Sequence, residues 1–148
     1  MLAALESGKV AAYVTDFPTE EMLCVDGVIA IPHLGASTPE SEDNCADMAA
    51  RQLIDYIENG NITNSVNMPA ISMPRSGKYR VCVIHKNIPN MLTAITGIVA
   101  ENDVNIENML NKSRGDYAYT MLDVNVDNTD TIGERIAAID GVIKVRAI

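Results

Sequence analysis

Tryptophan is absent from the 148 residues, phenylalanine occurs once, at Phe17, and five tyrosines complete the aromatic set. A chain so poor in rings offers no row of stacking platforms for single-stranded nucleic acid. Basic charge is scarce too: 11 Lys and Arg against 20 Asp and Glu leave a formal net charge of -9, which repels phosphate backbones and anionic lipid surfaces. Nucleic acid and a membrane surface are therefore excluded as expected partners. No apolar run approaches the roughly 18 residues of a membrane span. The opening MLAALESGKV has no basic stretch and is interrupted by Glu6, so it does not read as a secretory signal. Cys24, Cys45 and Cys82 are odd in number, far apart and without CxxC spacing, which suggests neither a disulfide frame nor a zinc site. They read as spare or buried thiols in a reducing cytoplasm. The two histidines, His33 and His85, are not at metal-ligand spacing, so no metal is expected. No GxGxxG or Walker A loop occurs to cradle a phosphate.

What is present suits a packed core: 47% hydrophobic and 21% charged residues, with only six Pro and nine Gly. At about 100 to 200 residues per domain, the length allows one domain or two small ones. Residues 61–78, NITNSVNMPAISMPRSGK, are rich in Asn, Ser, Pro and Gly and lack a helical stripe. They predict an extended connector between residues 1–60 and 79–148.

Residues 79–148 alternate in period. Tyr79 to His85 predicts a buried strand, and Pro89 suits the first turn of a helix with Met91, Leu92, Ile95, Ile98 and Val99 on one stripe. Val104 to Lys112 predicts a second strand, Ser113 to Asp116 a hairpin turn, and Tyr117 to Val126 a third strand. Asp127, Asn128 and Thr129 offer capping oxygens to a helix through Ile132, Ile136 and Ala137, which stops at Gly141 before a last strand, Val142 to Ile148. The order βαββαβ is that of a ferredoxin-like fold, with both helices on one face of an antiparallel sheet. The other face is expected to lie bare and seek a partner, so a homodimer is the physical expectation.

The first 60 residues differ in kind. Val10 to Val14 and Val28 to Ile31 predict two short parallel strands, a scrap of an α/β sheet. A helix follows, capped by Ser37 or Thr38, with Pro39 at its first position, Glu40, Glu42 and Asp43 at its positive end, and Asn59-Gly60 at its close. Cys45, Met48, Ala49, Ile54 and Ile57 are expected on its buried side. His33 follows the second strand and so sits at a strand's carboxyl end, where ligands bind in open α/β sheets. There it can exchange a proton near neutral pH, with Glu20 in the preceding loop to orient it. On spacing alone, a histidine satisfied by backbone carbonyls is the commoner reading.

His85 and Asn87 share the turn between the first strand and first helix of the βαββαβ half, close to free helical N–H groups. Such a turn suits a ligand carrying both a carboxylate and an ammonium group. Asn105 interrupts an otherwise apolar strand start. Taken singly, each Asn also reads as a turn or capping residue.

Longer strings narrow the field. LESGKVAAYVTDFPTEE, VIAIPHLGASTPESEDNCADMAARQLIDYIENG and SVNMP resemble the end of the catalytic part of the D-2-hydroxyacid dehydrogenases. YRVCVIHKNIPNMLTAITGIVAENDVNIENM resembles the ACT regulatory domain that closes many members acting on 3-phosphoglycerate. The resemblance implies an α/β (α+β) chain: a fragment of a Rossmann-like catalytic domain at 1–60, then an ACT domain at 79–148. It implies a cytoplasmic NAD-dependent oxidoreductase converting 3-phospho-D-glycerate to 3-phosphohydroxypyruvate, the first step of L-serine biosynthesis. His33 becomes the proton donor and acceptor, Glu20 the carboxylate paired with it, and His33, Leu34, Gly35 and Ala36 the backbone beside the nicotinamide. The family's acid near the carboxamide falls on Thr15 or Asp16. In the ACT half, His85, Asn87 and Asn105 become contacts to L-serine or another small amino acid across a homodimer. Asn90 stands where many ACT domains have Gly, and inhibition by hinge motion is expected near Gly77. The catalytic Arg and dinucleotide-binding glycine loop are not among these residues, so the chain alone is expected to be inactive. The alternative is a stand-alone dimeric amino-acid-binding module.

Overall fold

A computed structural model of the chain describes residues 1–127 and 129–148. They fall into two compact units, Met1–Asp47 and Met48–Ile148. The capping residue Asn128 lies outside the described residues. Among the described residues, no helix is long and apolar enough to cross a membrane.

In the first unit a short helix α1 (Leu2–Glu6) precedes two strands, β1 (Tyr13–Thr15) and β2 (Val28–Ala30), which pair in parallel as expected. A single 3-10 turn, Glu20–Met22, lies between them. Helix α2 (Pro39–Asn59) begins as its residues predict. Thr38 Oγ1 accepts from Ser41 N at 3.3 Å, and Pro39 occupies the position whose missing N–H would be unpaired anyway. It ends at Gly60, whose φ of 71° suits glycine at a helix C-terminus.

The second unit carries β3 (Tyr79–Lys86), α3 (Met91–Glu101), β4 (Ile106–Arg114), β5 (Tyr117–Val124), α4 (Asp130–Ala137) and β6 (Val142–Ala147). The sheet order is β4-β5-β3-β6 with every pair antiparallel, the ferredoxin-like arrangement the element order predicts. The hairpin turns on Gly115 and Asp116, and Gly115 supplies a φ of 59°. Strand alternation sends Val81, Val83, Leu122 and Val124 to one face, where Ile95 and Val99 of α3 and Ile132 and Ile136 of α4 close a fully buried core.

The opposite face, expected to be bare, is covered by the chain itself. Cys82, Tyr119 and Met121 pack there against Ile62, Ile71 and Met73, with Tyr56 and Met68 at the margin. Ile62 and Ile71 bond to each other through both backbone pairs at 2.8 and 3.0 Å, folding residues 61–78 into a flap on the sheet. Burial pushes the Cys82 thiol and the Tyr119 phenol up, so both stay neutral inside this layer. The segment read as a connector therefore contributes core to the unit that it was expected only to join.

A set of arginines fixes this arrangement. The last carbonyls of a helix have no partner within it. At the end of α2, Arg146 donates to Tyr56 O and Ile57 O, Arg75 Nη1 to Glu58 O at 3.1 Å, and Arg80 Nη1 to Asn59 O at 2.8 Å. Gly60 O accepts from the Tyr119 hydroxyl at 2.8 Å. Cations at a helix C-terminus also oppose its negative dipole end. Arg80 is itself fully buried and forks onto Asp123, Nε to Oδ1 at 2.6 Å and Nη2 to Oδ2 at 2.8 Å.

One expectation fails outright. Cys45, Met48, Ala49, Ile54 and Ile57 are exposed, and α2 has no buried residue. The half-buried face of its last turns is instead Gln52, Asp55, Tyr56 and Asn59, at helical spacing. Asp55 Oδ1 accepts from Asn59 Nδ2 and Asn61 Nδ2 at 2.9 and 3.0 Å, so hydrogen bonding and the arginines turn the polar side inward. Nothing among the described residues covers the apolar stripe.

Candidate functional site

The strand-to-helix turn after β3 forms a small pocket of about 200 Å³, bordered by His85, Asn87, Asn90, Met91, Thr93 and Asn111. The chain enters α3 through Asn90 at φ 67° and ψ 0°, a left-handed conformation that Asn tolerates better than other side-chain-bearing residues. That accounts for Asn at a position where glycine would also serve. Asn90 gives the helix no side-chain cap, so the first-turn amides of α3 keep their donor capacity. Asn87 Nδ2 donates to Gly115 O at 3.1 Å, and Asn87 N to Asp116 O at 2.8 Å. The hairpin thus fixes the Asn87 amide and leaves Oδ1 as its open acceptor.

His85 is buried at 2% exposure, and both its ring nitrogens are engaged. Nδ1 lies 2.8 Å from Lys86 O, a carbonyl that only accepts, so this nitrogen carries a proton. Nε2 lies 2.9 Å from Thr120 Oγ1, which in turn lies 2.8 Å from Asn111 Oδ1. Asn105 is elsewhere: it borders an open depression with Thr93, Thr96 and Gly97, and its Nδ2 donates to Glu107 Oε1 at 3.1 Å. Within one chain, His85 and Asn87 come together and Asn105 does not join them. Asn111, which sequence reasoning passed over, does.

In the first unit, His33 lies three residues beyond β2. Its Nδ1 is 3.0 Å from Asp16 Oδ2, with both side chains about half exposed, and the Phe17 ring meets it edge-on at 5.6 Å. Glu20, expected to hold this histidine, sits on the 3-10 turn and makes no hydrogen bond or ion pair with it. Parallel register explains the exchange. Thr15 pairs with Ala30, so Asp16 leaves the sheet at the same end as His33. Leu34 is exposed, and the space around the Gly35 Cα is open. With Ala36 these residues leave a clear rim beside the histidine.

The largest cavity near the flap, about 460 Å³, lies between α2, residues 61–68 and Ile84, and its lining is mainly apolar, with Leu53, Tyr56, Ile62 and Met68 prominent. It offers no charged group to hold a zwitterion. Among the described residues, no group of three or more His, Cys, Asp or Glu is placed to hold a metal.

No protein-family model matches the chain. It is 34% identical to D-3-phosphoglycerate dehydrogenase of Escherichia coli over 158 aligned positions, covering 98% of this chain and 38% of the relative. The Haemophilus influenzae enzyme of the same name is 31% identical with the same coverage, and D-3-phosphoglycerate dehydrogenase 2 of Saccharomyces cerevisiae is 33% identical over 77% of the chain and 25% of the relative. Similar solved structures include the ACT domain of a Chlorobium tepidum GTP pyrophosphokinase, at TM-score 0.43 and 22% identity, covering 47% of this chain and 95% of that one. An ACT domain protein from Streptococcus pneumoniae gives TM-score 0.41 and 17% identity over 47% of this chain and 85% of that one. By sequence, the chain is similar to D-3-phosphoglycerate dehydrogenases and spans 38% of the length of the first of these relatives.

Proposed function

We propose that the chain is the C-terminal regulatory portion of an NAD-dependent D-3-phosphoglycerate dehydrogenase, and that its ACT domain binds L-serine as a feedback signal. The observation that carries this reading is the homology along 98% of the chain, which joins both halves to one enzyme class. The pocket chemistry agrees with it. A free amino acid presents a carboxylate, suited to the first-turn amides of α3, and an ammonium group, suited to Asn87 Oδ1. A second copy of the chain in a homodimer brings Asn105 to the site.

In the parent enzyme, His33 exchanges the proton at the C2 oxygen of 3-phospho-D-glycerate. Asp16, in place of Glu20, holds the ring at the contact described above. The open rim at Leu34, Gly35 and Ala36, with Asp16 beside it, fits the nicotinamide end of NAD, which supplies a hydride acceptor when bound. The sequence holds no dinucleotide-binding glycine loop, so the 148 residues are expected to have no turnover alone. The rival, a stand-alone dimeric amino-acid-binding module, is favoured by the completeness of the core within Met48–Ile148. The length of the natural open reading frame separates the two.

Calorimetric titration of the chain with L-serine tests effector binding. Saturable heat is expected, and Asn87→Ala should weaken affinity about 10- to 100-fold, the loss of a hydrogen bond to a charged group. Equal affinity in wild type and Asn87→Ala refutes the site.

A further inference from the structure

Two polar residues lie where β4 and β5 could have carried apolar ones. Thr120 is fully buried, on the helix-facing side of β5 between Ala118 and Leu122, and Asn111 is its cross-strand partner on β4. Burying a hydroxyl and part of an amide at the floor of a pocket is costly unless each polar atom is paired. Thr120 is paired on both sides, with His85 Nε2 at 2.9 Å and Asn111 Oδ1 at 2.8 Å. The amide of Asn111 is engaged only at the end that meets Thr120.

The network runs in either direction. With the His85 ring carrying both protons, Nε2–H donates to Thr120, whose hydroxyl donates to Asn111 Oδ1, leaving the Asn111 NH₂ toward the ligand. With the ring neutral, Thr120 donates to Nε2, and the Asn111 amide must turn over so that its NH₂ donates to Thr120 and its Oδ1, which meets Thr120 in the arrangement above, faces the ligand. A ligand hydroxyl both donates and accepts, so it pairs with whichever end is presented. A methyl group pairs with neither and leaves a polar end stranded. Such sites discriminate strongly against the analogue that lacks the hydroxyl.

We propose that Asn111 is the specificity-determining residue of the effector pocket, its amide bonding the side-chain hydroxyl of a small hydroxy-amino acid, with Thr120 as the positioning residue that orients it. This rests on the amino-acid-effector reading above and adds which ligand group is read and by what. The carboxylate and ammonium are common to all amino acids and are held by the α3 amides and Asn87. The hydroxyl alone separates L-serine from L-alanine.

The test is calorimetry of the 148-residue chain with L-serine and with L-alanine, for wild type, Asn111→Leu, Asn111→Ala, Thr120→Val and Thr120→Ser, with each fold checked by circular dichroism. Wild type is expected to prefer L-serine by at least ~10-fold. Both Asn111 variants should lose that preference by weakening serine while leaving alanine unchanged, so either one that folds suffices. Thr120→Val should reduce the preference and Thr120→Ser, which keeps the hydroxyl, should retain it. A preference that survives in a folded Asn111 variant overturns the proposal while leaving the effector reading intact. Wild type that binds neither amino acid overturns the effector reading and this assignment with it.

Discussion

Asp123→Ala is expected to cost about 3–5 kcal/mol, enough to unfold most molecules of a domain whose total stability is of the order of 5–15 kcal/mol. The carboxylate is fully buried against Arg80 and also accepts from Ser76 N at 2.8 Å and Ser76 Oγ at 3.1 Å. Removing it strands a buried guanidinium and releases the flap and the end of α2 together. The cost belongs to the unpaired charge, so the double variant Arg80→Met/Asp123→Leu should recover much of it. Urea unfolding of the three proteins checks this, and a double variant no more stable than Asp123→Ala would contradict it. The pair also sets an acid limit. Burial pushes the Asp123 carboxyl up, but the Arg80 and Ser76 hydrogen bonds outweigh that and hold it below the usual carboxylate range. A depressed carboxyl stabilises fully above its unfolded value, near 4, and loses that contribution as pH falls through the lower folded value. Wild type should therefore lose stability below about pH 4, and the double variant should lose less.

Gly77→Ala is expected to destabilise by about 1–3 kcal/mol, lowering Tm by roughly 10 °C. A Cβ at this position would lie 2.6 Å from Val124 N and 2.9 Å from both Asp123 C and Val124 O. All three are backbone atoms of β5 and cannot swing aside. The flanking residues are pinned as well, Ser76 N to Asp123 and Lys78 N to Asn125 Oδ1 at 2.8 Å. A freely moving linker glycine would respond with the opposite sign, because Ala in place of Gly restricts the unfolded chain and stabilises by about 0.4–1 kcal/mol. Differential scanning calorimetry distinguishes the two: a raised Tm would restore the hinge expected near Gly77, and a lowered one places this glycine inside the packed domain.

The βαββαβ half was legible because period-2 runs and one amphipathic stripe alternate cleanly, and because Gly115 and Gly141 punctuate them. The flap was not. Ile62, Ile71 and Met73 are scattered among Asn, Ser and Pro with no repeat, and only the sheet's second face gives them a shared purpose. The arginine cluster was hidden for a different reason: Arg80 and Asp123 are 43 residues apart, and Arg146 is 90 from Tyr56. Charge pairing over such distances leaves no local pattern. In the first unit, loop position and the family resemblance pointed to Glu20, whereas strand register delivers Asp16 to His33. Asn111 and Thr120 did leave a signal, two polar residues at inward positions of neighbouring strands, but it becomes readable only once the pairing is known.

A small amino acid is expected to bind at the first turn of α3. This is tested most directly by titrating L-serine into the ¹⁵N-labelled chain and following backbone and Asn side-chain amide shifts. Saturable shifts are expected at Asn87, Asn90, Met91 to Thr93 and the Asn111 side chain, with Asp55, Ile62 and Met68 around the flap unmoved. No shift at the first turn of α3, or saturable shifts confined to the cavity between α2 and residues 61–68, would contradict it.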